Sequence, residues 1–319
     1  MRSTEQLRNL YHTELKDQLA GMEKERIRIK RLKIATAIFG FILFLILQNI
    51  YKPGIAITIG IIGVIIILAA VVYIFMRYTT YRNQFKQEVV SKIIKLINPE
   101  YQYDANRHID MHEFNESNLF STKAERCQGD DYVEGKIEST DFKFSELNPT
   151  YKVETREDGK TTTEWHSIYR GLFFHADFNK HIQGTTFVLP DKADRLLGIK
   201  RKNLKRDKEN YELVNLENPE FEKIYDVYGS SQVEARYILT PAIMEAMVTI
   251  AKKYGRNMYF SFKGERLYCA VLYNKPLFEP RIKKSGVNYA DVEEMFHLFG
   301  LIETIIHEMN LNTRIWTKE

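Results

Sequence analysis

His175 and Asp177 stand two residues apart in Tyr169-Arg-Gly-Leu-Phe-Phe-His-Ala-Asp-Phe178, and on a strand that spacing sets an imidazole and a carboxylate on one face. Such a pair can relay a proton. No nucleophile or substrate motif accompanies it, and a lone imidazole serves equally as a hydrogen-bonded sheet residue. Arg170, just ahead of Gly171, offers a fork for a carboxylate or phosphate, or else blunts a sheet edge. Glu234 and Arg236 alternate on what reads as a strand and form a candidate ion pair. These five residues are the candidate ligand or partner contacts.

Metal chemistry has one foothold. Glu294-Met-Phe-His297 puts a carboxylate and an imidazole on one helix face, as bundle di-metal sites require, with Glu303 and His307 following at a spacing of four. A second Glu-x-x-His is absent, so a solvated polar face accounts for all four and neither metal nor cofactor is expected. The phosphate loop, His-Glu-x-x-His, the Gly-x-Ser-x-Gly elbow and Cys-x-x-Cys are absent too. A basic run remains: Lys200, Arg201, Lys202, Lys205, Arg206 and Lys208. It reads as a solvated loop, or as a contact for anionic lipid headgroups. Lacking interleaved aromatics, it does not call for nucleic acid.

The stretch that must position everything else is Ile34 to Met76, two uncharged apolar runs (34–51 and 54–76) separated by a short turn containing Lys52 and Pro53. Each is long enough to cross about 30 Å of hydrocarbon, and backbone groups in lipid must be satisfied within the segment, so both should be helices. A transmembrane hairpin follows. Arg26, Arg28, Lys30, Arg31 and Lys33 precede it and Arg77, Arg82 and Lys86 follow it, against Lys52 alone in the turn. That asymmetry puts both termini in the cytoplasm and the lipid bilayer among the partners. The two cysteines and the formal charge of +4 over 319 residues fit a reducing compartment and give no whole-chain case for nucleic acid.

The remaining elements read as α+β. Residues 1–33 form an amphipathic cytoplasmic helix with Leu7, Leu15 and Leu19 on one stripe, and 77–98 a juxtamembrane helix with Tyr81, Phe85, Val89 and Ile93 on another. The stripes can pack as an antiparallel pair beneath the hairpin, or each can meet a partner. Residues 99–131 are polar and weakly periodic, a linker. From 132 to 319 a mixed, mainly antiparallel sheet packed by helices is expected, with strands at 132–137, 141–144, 151–155, 161–165, 167–178, 185–189, 212–216, 224–228 and 237–239. A short helix opens at Pro190-Asp191. Thr240-Pro241 caps a helix running to Tyr254 and stopped by Gly255, and Met258 to Tyr273 reads as a hairpin turning at Lys263-Gly-Glu265. Asp291 to Met309 is a last amphipathic helix.

Four stretches, Tyr169 to Lys180, Val188-Leu-Pro-Asp191, Gln232 to Pro241 and Leu311-Asn-Thr-Arg-Ile-Trp316, resemble a bacterial family catalogued as domain of unknown function 3137. The resemblance covers most of Tyr132 to Trp316, and the two-pass arrangement is similar. It implies a bacterial membrane protein whose relatives are sometimes encoded near LemA-type membrane proteins, and it brings no catalytic residues; with the expected topology, the location is the plasma (inner) membrane. The expected function is a membrane-anchored cytoplasmic module that docks a protein partner, LemA-type among the candidates, or a ligand. The alternatives are a tethered enzyme of unrecognised type and a sensor of anionic lipid.

Overall fold

The computed structural model describes residues 4–157, 160–190, 203–206, 209–255, 258–273, 275–309 and 311. The chain divides into two compact units, one of residues 2–96 with 278–296, the other of residues 97–277 with 297–319. The expected division into an N-terminal membrane part and one continuous domain from 132 onward therefore needs correction. A segment from late in the chain belongs to the helical unit.

In that unit, α1 (Thr4–Leu10) passes through a π-helical turn, Tyr11–Leu15, into α2 (Lys16–Gln48). α3 (Pro53–Phe85) starts with proline at the position where a missing N–H costs nothing, and runs through a second π turn, Lys86–Val90, into α4 (Ser91–Ile97). The two arms are antiparallel. Leu43 packs against Gly63 and Leu47 against Gly60, Arg77 Nε donates to Glu25 Oε1 at 2.8 Å, and Lys92 Nζ donates to Glu14 Oε2 at 2.7 Å. Leu7, Leu15, Leu19, Phe85, Val89 and Ile93 are all buried, so the two stripes have partners within one chain.

Between residues 34 and 76 the pattern inverts. Phe41, Phe44, Ile57, Ile65 and Phe75 are exposed, as are most of their apolar neighbours. Among the described residues one helix, Pro53–Ile97, is long and apolar enough to cross a membrane by length and composition. The first apolar run is the end of α2, whose earlier turns are charged.

The late segment closes this unit through polar contacts. Lys86 is 0% exposed, and Glu279 lies 3.6 Å from its ammonium while also accepting from Tyr78 Oη at 2.9 Å and Arg82 Nη1 at 3.4 Å. Arg26 donates to the Ile282 carbonyl at 2.7 Å, and Glu23 accepts the Gly286 N–H at 3.2 Å. α9 (Tyr289–Glu308) begins here.

The other unit is built on an antiparallel sheet of β1 (Gln102–Asp104), β2 (Arg126–Ile137), β3 (Thr140–Glu157), β4 (Lys160–Ser167), β5 (Gly171–Pro190), β6 (Asn203–Arg206), β7 (Glu209–Leu213), β8 (Tyr225–Gly229) and β9 (Met258–Leu272). β5 is its axis. One edge pairs with β9 from Gly171 to Val188, and the other with β3 over Gly171–Ala176 and then with β8 over Thr186–Pro190. The class is α+β. α5 (Met111–Glu116), α6 (Pro219–Glu222), α7 (Gln232–Ile238) and α8 (Pro241–Tyr254) complete the unit, and the second half of α9 packs Phe299 edge-on against Phe144 of β3 at 5.4 Å.

Four local expectations change. Residues 99–131 are not a linker: they hold β1 and α5 and bury Ile109, Phe114, Leu119 and Phe120, apolar side chains too irregularly spaced to show a period. The strands expected at 141–144 and 151–155 are one, because Pro149 falls where β3 changes neighbour from β5 to β4. Met258 to Tyr273 is not a hairpin. Gly264 does turn left-handed, at φ +61°, but β9 continues because β5 bulges opposite it, between Asp177 and Thr185. Residues 237–239 end a helix, α7, capped by Ser231 Oγ accepting from Glu234 N at 3.3 Å. By contrast Thr240, Pro241 and Gly255 cap α8 as expected, with Gly255 at φ +53°. The helix expected at Pro190-Asp191 lies outside the described residues.

A Cβ at Gly63 would collide with the Leu43 side chain. Gly63→Val is therefore expected to destabilise the helical unit by about 1–3 kcal/mol, and Leu43→Ala in the same chain to recover part of that. Thermal unfolding in detergent, followed by circular dichroism, measures both.

Candidate functional site

Asp110 accepts the His112 N–H at 3.0 Å and so starts α5, which puts Glu113 in the first turn facing the sheet. There Glu113 Oε1 accepts from Lys143 Nζ of β3 at 2.7 Å and lies 3.6 Å from His175 Nε2 of β5. The ladder fixes this meeting, since Lys143 and His175 are register partners. One pleat further along β5, Asp177 pairs in register with Arg266 of β9, and the His175 ring stands 5.8 Å from that of Tyr268.

His175, Asp177, Lys143 and Arg266 line a cleft of about 610 Å³ with Glu134 and Lys136 of β2. Its walls carry four acids and three bases. His175 is 4% exposed, and its Nε2 has no hydrogen-bond partner among the described residues. Burial holds the imidazole below the ordinary histidine value, outweighing the Glu113 carboxylate, which raises it. His175 and then Lys143 hold the Glu113 carboxyl down at about 2, against the opposing effect of its own burial. At neutral pH the site thus presents a neutral imidazole beside an ionised carboxylate. None of the residues lining the cleft carries a hydroxyl or thiol; its lysines, carboxylates and imidazole can bind charged groups and exchange a proton.

Of the residues singled out in the sequence, His175 and Asp177 come together here. Arg170 is exposed and outside the cleft, and its carbonyl accepts the Tyr273 N–H at 2.9 Å. Glu234 and Arg236 do not form the expected pair, because on a helix a spacing of two points side chains apart. Glu234 accepts from Gln183 N at 2.7 Å and Gly184 N at 2.9 Å, pinning the β5 bulge, while Arg236 donates to Gln232 Oε1 at 3.0 Å and to the Asn215 carbonyl at 3.0 Å. Glu294 binds Arg281 at 3.1 Å, Glu303 accepts from Tyr101 Oη at 3.1 Å, and His307 faces Glu138 at 3.9 Å. Lys200, Arg201, Lys202 and Lys208, with the side chains of Lys205 and Arg206, lie outside the described residues.

Glu113, Lys143 and Arg266 were missed. Asp110-Met-His-Glu113 is a helix-start signature inside the supposed linker, and it was the available clue to Glu113. A separate group, Asp130, Asp131 and Glu146, was also not anticipated. Its carboxylates lie within 4.8 Å of one another, with Asp131 accepting from Tyr103 Oη at 2.6 Å and Glu146 from Leu277 N at 2.9 Å.

Both shifts at the cleft are downward, so each group contributes stability that is complete above its ordinary value and lost as pH falls towards its folded one. Stability should decline as pH drops below 6.5 through the His175 transition, and again from 4.5 towards 2 as Glu113 protonates. Urea unfolding at stepped pH should show the first decline flattened in His175→Gln and the second in Glu113→Gln.

Three comparisons place the chain among known proteins. The profile of the family described as "Protein of unknown function (DUF3137)" matches residues 167–311. That span excludes the strands before residue 167 and the Trp316 end of the last resembling stretch. A comparison with curated proteins finds no match. Among solved structures, the crystal structure of the mycobacterial trehalose monomycolate transport factor A, TtfA, aligns over 70% of this chain and 97% of that one, at 10% identity and a TM-score of 0.35. A likeness at that level carries no argument about this chain. The matched residues, from the last residue of β4 to just beyond α9, are thus similar to the family that the four stretches resemble.

Proposed function

We propose that this chain is a two-pass protein of the bacterial plasma membrane, with both ends cytoplasmic, whose sheet unit binds a polar ligand in the cleft around His175. The observation that supports it most is the inversion of burial between residues 34 and 76. Phe41, Phe44, Ile57, Ile65 and Phe75 face outward on both arms of the helical hairpin, while among the described residues the sheet unit leaves only Trp165, Val233 and Tyr237 of its large apolar side chains exposed. Water is a poor solvent for such a surface and hydrocarbon a good one. The cations on either side of the hairpin, against Lys52 at its tip, support the orientation.

Binding is preferred to catalysis because the cleft supplies paired charges and an imidazole nitrogen without a hydrogen-bond partner among the described residues, while no serine or cysteine beside a base lines it. A mixed lining of this kind suits a small ligand bearing charges of both signs. An enzyme using His175 as a general base is the alternative, favoured by the neutral, buried state of that ring.

Orientation is tested by accessibility. Lys52→Cys should react with a membrane-impermeant maleimide in intact cells, whereas Trp165 and its surroundings should survive protease added to sealed right-side-out vesicles. The opposite pattern would reverse the proposed topology. For the cleft, a metabolite that raises the melting temperature of the native chain should lose that effect in Lys143→Met and Arg266→Met, and release of a product would move the assignment to catalysis.

A further inference from the structure

We infer that the helical unit carries a built shelf for anionic phospholipid headgroups, made where the loop 281–288 is strapped onto the last cytoplasmic turns of α2. This rests on the membrane reading of residues 34–76. Arg28, Lys30, Arg31 and Lys33 are exposed on α2 immediately before the apolar run begins at Ile34, and Lys283 and Lys284 are exposed on the loop. The two groups are far apart in sequence. They are brought together by Arg26 donating to the Ile282 carbonyl at 2.7 Å, by the Gly286 N–H donating to Glu23 at 3.2 Å, and by Lys30 Nζ reaching the Lys283 carbonyl at 3.5 Å.

Local acids do not neutralise this surface, because each is already engaged. Glu23 pairs with Arg26, Glu25 with Arg77, and Glu279 with Arg82 and Lys86. At about 1.5 Å of helix rise per residue, Lys30 sits only some 6 Å along the axis from Ile34, within a Debye length of the leaflet surface. Topology alone explains cations on α2. It does not explain why a loop from late in the chain is fixed beside them with two more lysines outward. Charge complementarity and continuity with the apolar belt name the occupant: the anionic lipids of the leaflet that receives the hairpin.

The test uses the full chain in phosphatidylcholine vesicles containing a minor fraction of spin-labelled phosphatidylglycerol or spin-labelled phosphatidylcholine. The wild-type chain should hold phosphatidylglycerol in preference, and Lys283→Gln/Lys284→Gln should lower that preference at least about fivefold, with Lys252→Gln/Lys253→Gln leaving it unchanged. Flotation on a density gradient separates two failures. A chain that does not float with vesicles sinks the membrane reading and the shelf together. A chain that floats but shows no preference, keeps it in the loop variant, or loses it equally in the control overturns the shelf alone.

Discussion

A strand in the middle of a sheet has to find partners for the N–H and C=O groups along both edges, and β5 finds most of its own in three other strands and one side chain. β9 pairs with one edge on both sides of the bulge, while β3 takes the other edge over Gly171–Ala176 and β8 over Thr186–Pro190. The geometry of the cleft follows. Because β3 and β9 flank the same stretch of β5, Lys143 and Arg266 are held on either side of His175 and Asp177 without any dedicated loop. Past Asp177 the strand bulges, and the carboxylate of Glu234 takes up N–H groups that the ladder leaves there. His175 is thereby set between the Glu113 carboxylate, 3.6 Å away, and the Tyr268 ring at 5.8 Å.

The helical unit solves a different problem. Its arms pair by apolar stripes near the chain's start, yet Lys86 lies inside the pair at zero exposure, where an ammonium without a counter-charge would be costly. Glu279 supplies that charge and, through Tyr78 and Arg82, ties the late segment to α3. The stripes alone would hold the arms together. The buried charges decide which other piece of the chain is admitted.

Much of this was legible where local rules and tertiary demands agree. Thr240, Pro241 and Gly255 bound α8 because caps are local chemistry, and the apolar runs read as helices on either side of a turn because nothing polar competes within them. The reading failed where a partner distant in sequence overrode a local signal. Gly264 looks like a turn but is absorbed by the bulge of β5, and Pro149 looks like a strand end but sits at a change of neighbour. Two helix starts, Asp110-x-x-Glu113 and Ser231-x-x-Glu234, were present and lost beneath weak periodicity. His175 and Asp177 were recognisable as candidates from alternation. Glu113, which sets their electrostatics, came from a stretch that composition had marked as a tether.

The late arrival of Glu279 has a bearing on biogenesis. Tyr78 and Glu279 are 201 positions apart, so a ribosome adding about 5–20 residues per second delivers the carboxylate some 10–40 s after the hairpin has emerged. During that interval the arms can rely on Glu25 with Arg77 and Glu14 with Lys92, and the ammonium of Lys86 must stay hydrated. The two arms therefore meet with the seam around Lys86 still open, and it shuts only after the intervening sheet has been translated.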